Sequence, residues 1–202
     1  MIKSVSDDQE QILGWILTLC NLQNFDADLT YGNGKFYSGS IPQPDFKFDI
    51  DPQCEGVEQA SSTDIPAVNE AFQSIVFDPP FLTYVRSGRE GNGSMIMARR
   101  FGGYWTYGEL EKHYRDTIRE AHRTLARKGI FVFKCQDIVH NHRHVSTHMN
   151  VIKWCEGMFR LKDLFILTAK HRMPIPQKKG AAKKTQRHAR IHHSYFMVFE
   201  KI

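Results

Sequence analysis

The chain lacks any continuous apolar segment of the roughly 18 to 20 residues that a membrane-spanning helix requires. Its apolar stretch nearest the start, residues 12–19, follows acidic residues, whereas a secretory signal opens with basic ones. We therefore expect a cytoplasmic protein that does not associate with a membrane.

Cysteine is also scarce, with four residues that lie far apart and include no C-x-x-C pair. This spacing excludes a zinc ribbon and a disulfide-stapled scaffold. We expect all of them to be buried thiols, namely Cys20, Cys54, Cys135 and Cys155.

Basic residues are rare in the first 80 positions, which hold 3 Lys and Arg against 13 Asp and Glu. The rest of the chain holds 24 basic and 9 acidic residues. This asymmetry favours a protein that binds a polyanion through its C-terminal half and a neutral or cationic ligand through its N-terminal half. Two unrelated solvated faces are the alternative.

Hydrophobic periodicity predicts alternating helices and strands. Acidic residues before apolar residues at helical spacing predict a first helix that ends near Leu22, within an N-terminal segment 1–23. A capping box at Thr106 and Glu109 predicts a second helix that ends at Gly129. The other predicted elements are strands over residues 24–29, 46–50, 74–78, 130–133, 164–167 and 193–199, and a helix over residues 148–158.

This alternation, with continuously apolar central strands, is typical of an α/β fold with a doubly wound sheet. The 202 residues contain no internal repeat and no clear linker, so we expect a single domain over residues 1–202. Within it, the segments 82–105, rich in glycine and arginine, and 170–192, rich in basic residues, are predicted to be long loops.

Aspartates and glycines fall where predicted strands end, which is where doubly wound sheets bind ligands. The turn from Asp28 to Gly34 carries glycines that allow a ligand to approach the backbone closely. Asp49 is placed to accept hydrogen bonds from a ribose diol, and Asp64 follows at a spacing that fits a further strand end. Each carboxylate taken singly also fits an ordinary solvated loop.

The segment Asp78-Pro79-Pro80-Phe81 is a stronger signal. Its prolines lack N–H groups and fix φ, so the chain leaves the strand rigid and extended, with carbonyl groups free to point into a cleft. Such a bend suits the exocyclic amine of a flat base. Asp78 and the Pro79 carbonyl would accept its two N–H groups, and Phe81 would stack on the ring. An ordinary Asp-Pro-Pro turn is the alternative.

Residues 24–200 resemble the class I S-adenosylmethionine-dependent methyltransferases, in particular the small adenine-N6 DNA methyltransferases of phages and mobile elements. Residues 78–81 match the family's catalytic motif D-P-P-Y/F, and residues 28–34 parallel its first motif, D-P-F-A-G-S-G, with departures at positions 29 to 31. The resemblance implies catalytic roles for Asp78, Pro79, Pro80 and Phe81. It implies cofactor-binding roles, with Asp49 on the ribose and Asp64 on the adenine, for Asp28, Thr30, Gly32, Gly34, Asp49, Asp64 and Ile65.

The resemblance also implies a Rossmann-like methyltransferase sheet, mostly parallel with an antiparallel last strand, and S-adenosyl-L-methionine as the cofactor. The target adenine would be flipped out of DNA, since its N6 amine is otherwise inaccessible. The amine would attack the sulfonium methyl directly, without a metal or a covalent intermediate. The same chemistry on RNA, and a non-catalytic nucleic-acid-binding protein on a degenerate methyltransferase fold, are the alternatives.

Contacts to nucleic acid are expected from the basic half of the chain. Residues 170–190 contain eight Lys and Arg and no acid, which is typical of a phosphate-binding loop, although a solvated hairpin also fits. Four clustered histidines lack a zinc spacing and are interpreted as a polar loop that contacts nucleic acid, namely His140, His142, His144 and His148. The predicted nucleic-acid-binding residues are Arg86, Arg99, Arg100, Lys178, Lys179, Lys183, Lys184 and Arg187. We expect a monomer or a homodimer.

Overall fold

The computed structural model describes residues 1–83, 103–104, 106–169 and 186–202. These residues form three helices, namely α1 (Gln9–Cys20), α2 (Tyr107–Thr124) and α3 (Thr147–Cys155). None of the three is long and apolar enough to cross a membrane. The strands are β1 (Val5–Ser6), β2 (Ala27–Asp28), β3 (Phe46–Asp49), β4 (Glu58–Gln59), β5 (Phe72–Phe77), β6 (Leu125–Cys135), β7 (Ile138–His140), β8 (Arg143–Val145), β9 (Phe159–Thr168) and β10 (His193–Lys201).

Within the described residues, eight strands form one sheet in the order β1-β9-β10-β6-β5-β2-β3-β4, and β7 and β8 form a separate hairpin. β4, β3, β2, β5 and β6 run parallel to one another. The final strand, β10, runs antiparallel to both of its neighbours, β6 and β9. The predicted α/β fold, a doubly wound and mostly parallel sheet with an antiparallel last strand, is confirmed.

Helices cover both faces of this sheet. Successive side chains of a strand point to opposite faces, so Phe77 of β5 packs against Tyr114 of α2, while its neighbour Val76 packs in the cluster that contains Ile12 and Ile16 of α1. The sheet is thus the middle of three layers. The ends of its strands, rather than its covered faces, are left to carry a ligand site.

The start of α2 follows its predicted local signal, but its end does not. Thr106 Oγ1 accepts the backbone N–H of Glu109 (3.2 Å), and Glu109 Oε2 accepts the backbone N–H of Thr106 (3.3 Å), which is the expected capping box. The helix ends at Thr124 instead of Gly129, because Leu125 is already extended and pairs with Phe72 of β5.

Gly129 lies in a bulge of β6, where residues 126–129 face the single residue Gln73 of β5. A Cβ at position 129 would lie 2.8 Å from the Ala126 carbonyl oxygen and 3.0 Å from that of Gln73. Leu125 Cγ lies closer still, at 2.7 Å, so glycine is favoured here by crowding inside the bulge and against β5 rather than by the end of a helix.

The cysteines are all free, and two of the four are buried as expected, Cys135 and Cys155. Cys20 is half-buried and Cys54 is exposed. The prediction for Cys54 was wrong because this residue lies in the turn-rich connection between β3 and β4, outside the core.

An ion pair on α2 fixes the segment that follows β4. Arg123 Nη2 lies 2.6 Å from Glu120 Oε1, and the Glu120 side chain is 10% exposed. Glu120 Oε1 also accepts the backbone N–H of Ile65 (2.7 Å), while Arg123 donates to the carbonyl groups of Ile65 (3.0 Å) and Ala67 (2.8 Å). The pair therefore supplies partners for backbone groups that the sheet does not satisfy.

We expect Arg123→Met to lower the free energy of unfolding by about 2 kcal/mol, because it leaves the enclosed carboxylate of Glu120 and two carbonyl groups without their donor. Arg119→Met is the matched control, since Arg119 pairs with Asp116 on the same helix but is 60% exposed. This control should change stability by about 0.5 kcal/mol or less. Urea unfolding followed by circular dichroism measures both. Equal losses of stability would show that the Glu120 interaction is worth no more than a surface pair.

Candidate active site

Three aspartates meet at one edge of the sheet because their strands are neighbours and run parallel. Asp28 and Asp49 are the last residues of β2 and β3, and Asp78 directly follows β5. The strand order β3-β2-β5 places Asp28 in the middle. The structure thus brings together three residues that the sequence placed at separate strand ends.

Asp28 is the most enclosed of the three, with a relative exposure of 1%. Its Oδ1 accepts the backbone N–H of Thr30 (2.7 Å), and its Oδ2 accepts the hydroxyl of Tyr37 (2.7 Å). Burial raises the pKa of Asp28 to about 7, these hydrogen bonds oppose the increase, and the negative charges of Asp78 and Asp49 add to it. A cation beside this cluster would favour the ionised form of Asp28.

The glycine-containing turn after β2 contacts both neighbouring strand ends. Gly32 donates its backbone N–H to Asp49 Oδ2 (2.7 Å), and Thr30 Oγ1 accepts the backbone N–H of Asp78 (2.9 Å). Gly32 and Gly34 have φ values of 59° and 73°, a region that favours glycine. Thr30, one of the departures from the family motif, therefore supplies the hydroxyl that joins the turn to Asp78.

Tyr31, another departure from the family motif, packs closely against Gly34. A Cβ there would lie 2.6 Å from the Tyr31 hydroxyl oxygen. The Tyr31 ring stacks on Tyr37 with centroids 6.1 Å apart, and its hydroxyl donates to Gln43 Oε1 (2.6 Å). Gly34 thus makes room for an aromatic ring of the turn itself.

Asp64 and Ile65 lie in the tight turn that follows β4. Asp64 is exposed, and its backbone N–H donates to the carbonyl of Ser61 (2.9 Å). Ile65 is buried, and its backbone N–H is already satisfied by Glu120. Because β4 pairs with β3 in parallel, both residues lie toward the same edge as Asp49. Their cofactor-binding role stays a prediction.

Residues 78–81, here called the proline bend, leave the carboxyl end of β5. Pro79 is buried, and Asp78, Pro80 and Phe81 are half-buried. The hydroxyl of Tyr114, on α2, donates to the carbonyl of Pro80 (2.9 Å). This contact and the one from Thr30 hold the bend at two points, so Asp78 has a defined position at the sheet edge.

Lys134, which the sequence analysis did not single out, forms an ion pair with Asp78 (Nζ–Oδ2 3.2 Å), and its side chain is 11% exposed. Nζ also donates to Gln9 Oε1 (3.0 Å) and lies 5.1 and 5.3 Å from the ring centroids of Phe36 and Phe196. The signal that could have found it is a lysine at the end of the apolar run of β6, because a buried ammonium needs a carboxylate partner.

Burial and Lys134 act on Asp78 in opposite directions. Burial raises the pKa of Asp78, whereas the charge and the hydrogen bond of Lys134 lower it, and the net shift is upward. Lys134 therefore favours the ionised carboxylate and also orients it, since it holds one of the two oxygens.

Most of the predicted nucleic-acid-binding residues lie outside the described residues, namely Arg86, Arg99, Arg100, Lys178, Lys179, Lys183 and Lys184. Arg187 is described and is exposed. In the part of the chain that the structure describes, no group of three or more His, Cys, Asp and Glu residues is arranged to hold a metal ion.

Solved structures that are similar to this one include TrmN from Thermus thermophilus, an SAM-dependent methyltransferase from Methanosarcina mazei and the N-methyltransferase NodS from Bradyrhizobium japonicum. Their TM-scores are 0.54, 0.52 and 0.52, at 12%, 10% and 13% identity. The matches cover 96%, 93% and 96% of this chain. This chain spans 49% of TrmN but 97% and 93% of the other two.

The fold is therefore Rossmann-like and similar to that of a solved SAM-dependent methyltransferase and a solved N-methyltransferase, as the resemblance in sequence implied. No protein-family model matches the chain, and no curated protein sequence matches it significantly.

We expect Lys134→Met to raise the pKa of Asp78 further, because the substitution removes the charge that favours the carboxylate while burial remains. Carbon-13 NMR of labelled aspartate carboxyl groups, titrated with pH and assigned with Asp78→Asn, measures this. Lys112→Met is the control, since Lys112 is 80% exposed and pairs with Asp116 on α2. If Asp78 titrates identically in the wild type and in Lys134→Met, the ion pair does not control its ionisation.

Proposed function

We propose that this chain transfers a methyl group from S-adenosylmethionine to the exocyclic N6 amine of adenine in DNA. The proline bend carries the proposal, because its sequence matches an amine-methylating motif and its Asp78 lies at the same strand ends as Asp28 and Asp49. The methyltransferase fold supports the choice of methyl donor. The residues of the bend, Asp-Pro-Pro-Phe, support the choice of an amine on a flat base as the methyl acceptor.

The residues at the sheet edge fit S-adenosylmethionine. Three carboxyl groups gather there, and a sulfonium or ammonium cation beside them would favour the ionised form of Asp28, whose pKa burial raises to about 7. When bound, S-adenosylmethionine supplies a methyl group activated by a positively charged sulfur. Asp49 would accept the ribose hydroxyls. The residues that would hold the cofactor are Asp28, Thr30, Gly32, Gly34, Asp49, Asp64 and Ile65.

Asp78 and the Pro79 carbonyl would accept the two N–H groups of adenine N6, and Phe81 would stack on the extruded base. These hydrogen bonds favour a tetrahedral nitrogen, whose lone pair is no longer delocalised into the ring and can attack the methyl carbon in line. Lys134 opposes the effect of burial on Asp78 and so favours the ionised carboxylate, the form in which both oxygens act as acceptors. An N–C bond would form as the C–S bond breaks, S-adenosylhomocysteine would leave with the C–S electron pair, and the proton lost from the nitrogen would pass to the carboxylate of Asp78. No covalent enzyme intermediate is needed.

Nucleoside mass spectrometry after incubation with S-adenosylmethionine and a mixture of DNA and RNA tests this proposal. We expect N6-methyladenine in DNA. Asp78→Ala should lower its rate of formation by about 100-fold or more, with cofactor binding in calorimetry largely kept. The control is Asp116→Ala, which removes a carboxylate from the surface of α2.

The outcomes separate the alternatives. Product formed at the wild-type rate without Asp78 would contradict the mechanism. N6-methyladenine found only in RNA would assign the same chemistry to the other polymer. A wild-type chain that binds nucleic acid but no S-adenosylmethionine would be a non-catalytic binding protein.

Asp49→Ala is expected to weaken S-adenosylmethionine binding by about 10- to 100-fold, because it removes a charged acceptor for the ribose hydroxyls. It also removes the acceptor for the Gly32 N–H, so the turn is held less firmly. Asp45→Ala is the matched control, since Asp45 precedes the same strand at its opposite end and is exposed. Isothermal titration calorimetry measures both. Equal affinities of the two variants would argue against a cofactor contact at Asp49.

A further inference from the structure

Two short segments, distant in sequence, concentrate imidazole and guanidinium groups. Residues 138–148 and 186–193 hold seven of the chain's ten histidines, three of its arginines and no Asp or Glu. These residues are His140, His142, His144, His148, His188, His192, His193, Arg143, Arg187 and Arg190.

A hydrogen bond joins the two segments. Asn141 and His142, at the tip of the β7–β8 hairpin, have φ values of 50° and 58°, as a tight two-residue hairpin turn requires. His188 Nε2 lies 2.8 Å from the carbonyl oxygen of His142. Since a carbonyl only accepts, this ring nitrogen carries the hydrogen. We call the surface formed by residues 138–145 and 186–193 the hairpin face.

The hairpin face lies next to the proline bend. His140 Nδ1 is 3.2 Å from Thr83 Oγ1, and Thr83 is two residues beyond Phe81. β7 also follows closely on β6, whose Lys134 holds Asp78. A strand of nucleic acid lying on this surface would therefore pass beside the residues proposed to receive the base.

A buried carboxylate holds the base of the hairpin face in place. Asp137 is 4% exposed and accepts the His148 ring Nδ1–H (2.7 Å) and the Tyr195 hydroxyl (3.3 Å). The His148 and Tyr195 rings stack with centroids 4.1 Å apart. These contacts link the hairpin to α3 and β10 before any ligand arrives, which reduces the entropic cost of binding. Asp137 Oδ2 also lies 3.7 Å from Nε2 of His144, so this carboxylate faces two imidazole rings.

We propose that the hairpin face binds the phosphate backbone of the DNA strand that carries the target adenine. The choice of strand rests on the proposed function. Arg143, Arg187 and Arg190 are exposed, and guanidinium groups bind phosphate oxygens in bidentate fashion. Their segments contain no acid that would repel phosphate. His142 and His192 are exposed as well, and their rings add stacking surfaces for bases.

Fluorescence anisotropy with a labelled, adenine-containing oligodeoxynucleotide and no cofactor measures binding independently of methyl transfer. We expect Arg143→Ser, and the double variant Arg187→Ser with Arg190→Ser, each to weaken binding about 10-fold at about 0.1 M salt. The slope of log affinity against log salt should flatten by about one for each phosphate that the variant no longer neutralises. The control, Arg115→Ser with Arg119→Ser, removes two exposed arginines of α2 and should change neither quantity.

Wild-type affinity in both test variants, with unchanged thermal unfolding, would overturn the proposal, and so would equal weakening by the α2 control. A preference of the wild type for an oligoribonucleotide of the same sequence would overturn the assignment to DNA. The proposed reaction is tested separately. If the wild type forms no N6-methyladenine but the variants bind DNA more weakly than it does, the docking surface is supported and the proposed reaction is contradicted. If the wild type methylates DNA and the variants bind DNA as tightly as it does, the proposed reaction is supported and the docking surface is contradicted.

Discussion

The ion pair between Asp78 and Lys134 is the interaction on which the candidate site depends. Asp78 must lie partly out of water at the end of β5, and burial alone would favour its neutral form. Lys134 reaches it from the adjacent strand, and Gln9 of α1 holds the ammonium from the other side. Lys134 thus favours the ionised form of Asp78 and fixes the orientation of its carboxylate, which is the arrangement that the proposed acceptor role requires.

In the folded chain, the acidic N-terminal residues and the basic C-terminal residues form two regions with different chemistry. The acidic N-terminal part supplies the strand ends around Asp28, where a cationic methyl donor would be stabilised. The basic C-terminal part supplies the hairpin face, which lies beside the proline bend through the contact of His140 with Thr83. A positively charged cofactor would therefore reach the bend from the acidic region, and a polyanionic substrate would reach it from the basic region.

Local structure could be predicted from the sequence where residues close together in the chain determine it. The capping box of Thr106 and Glu109 formed as expected, and the aspartates at the ends of β2 and β3 were found where the apolar runs stop. Predictions failed where pairing with a strand distant in sequence determines the local structure. Gly129 was expected to end a helix, but pairing with β5 had already drawn Leu125 into β6. The short strands β1 and β4 and the hairpin of β7 and β8 are too brief to produce a periodic pattern, so tertiary pairing alone defines them.

The sequence by itself determined the proline bend and the class of fold, because proline geometry and the alternation of apolar strands and helices are local properties of the chain. Only the tertiary structure determined which residues contact that bend. Thr30 and Lys134 contact Asp78 from positions 48 and 56 residues away, across neighbouring strands. His188 likewise contacts His142 across 46 residues. Such contacts follow from strand order, which a linear pattern of side chains does not encode.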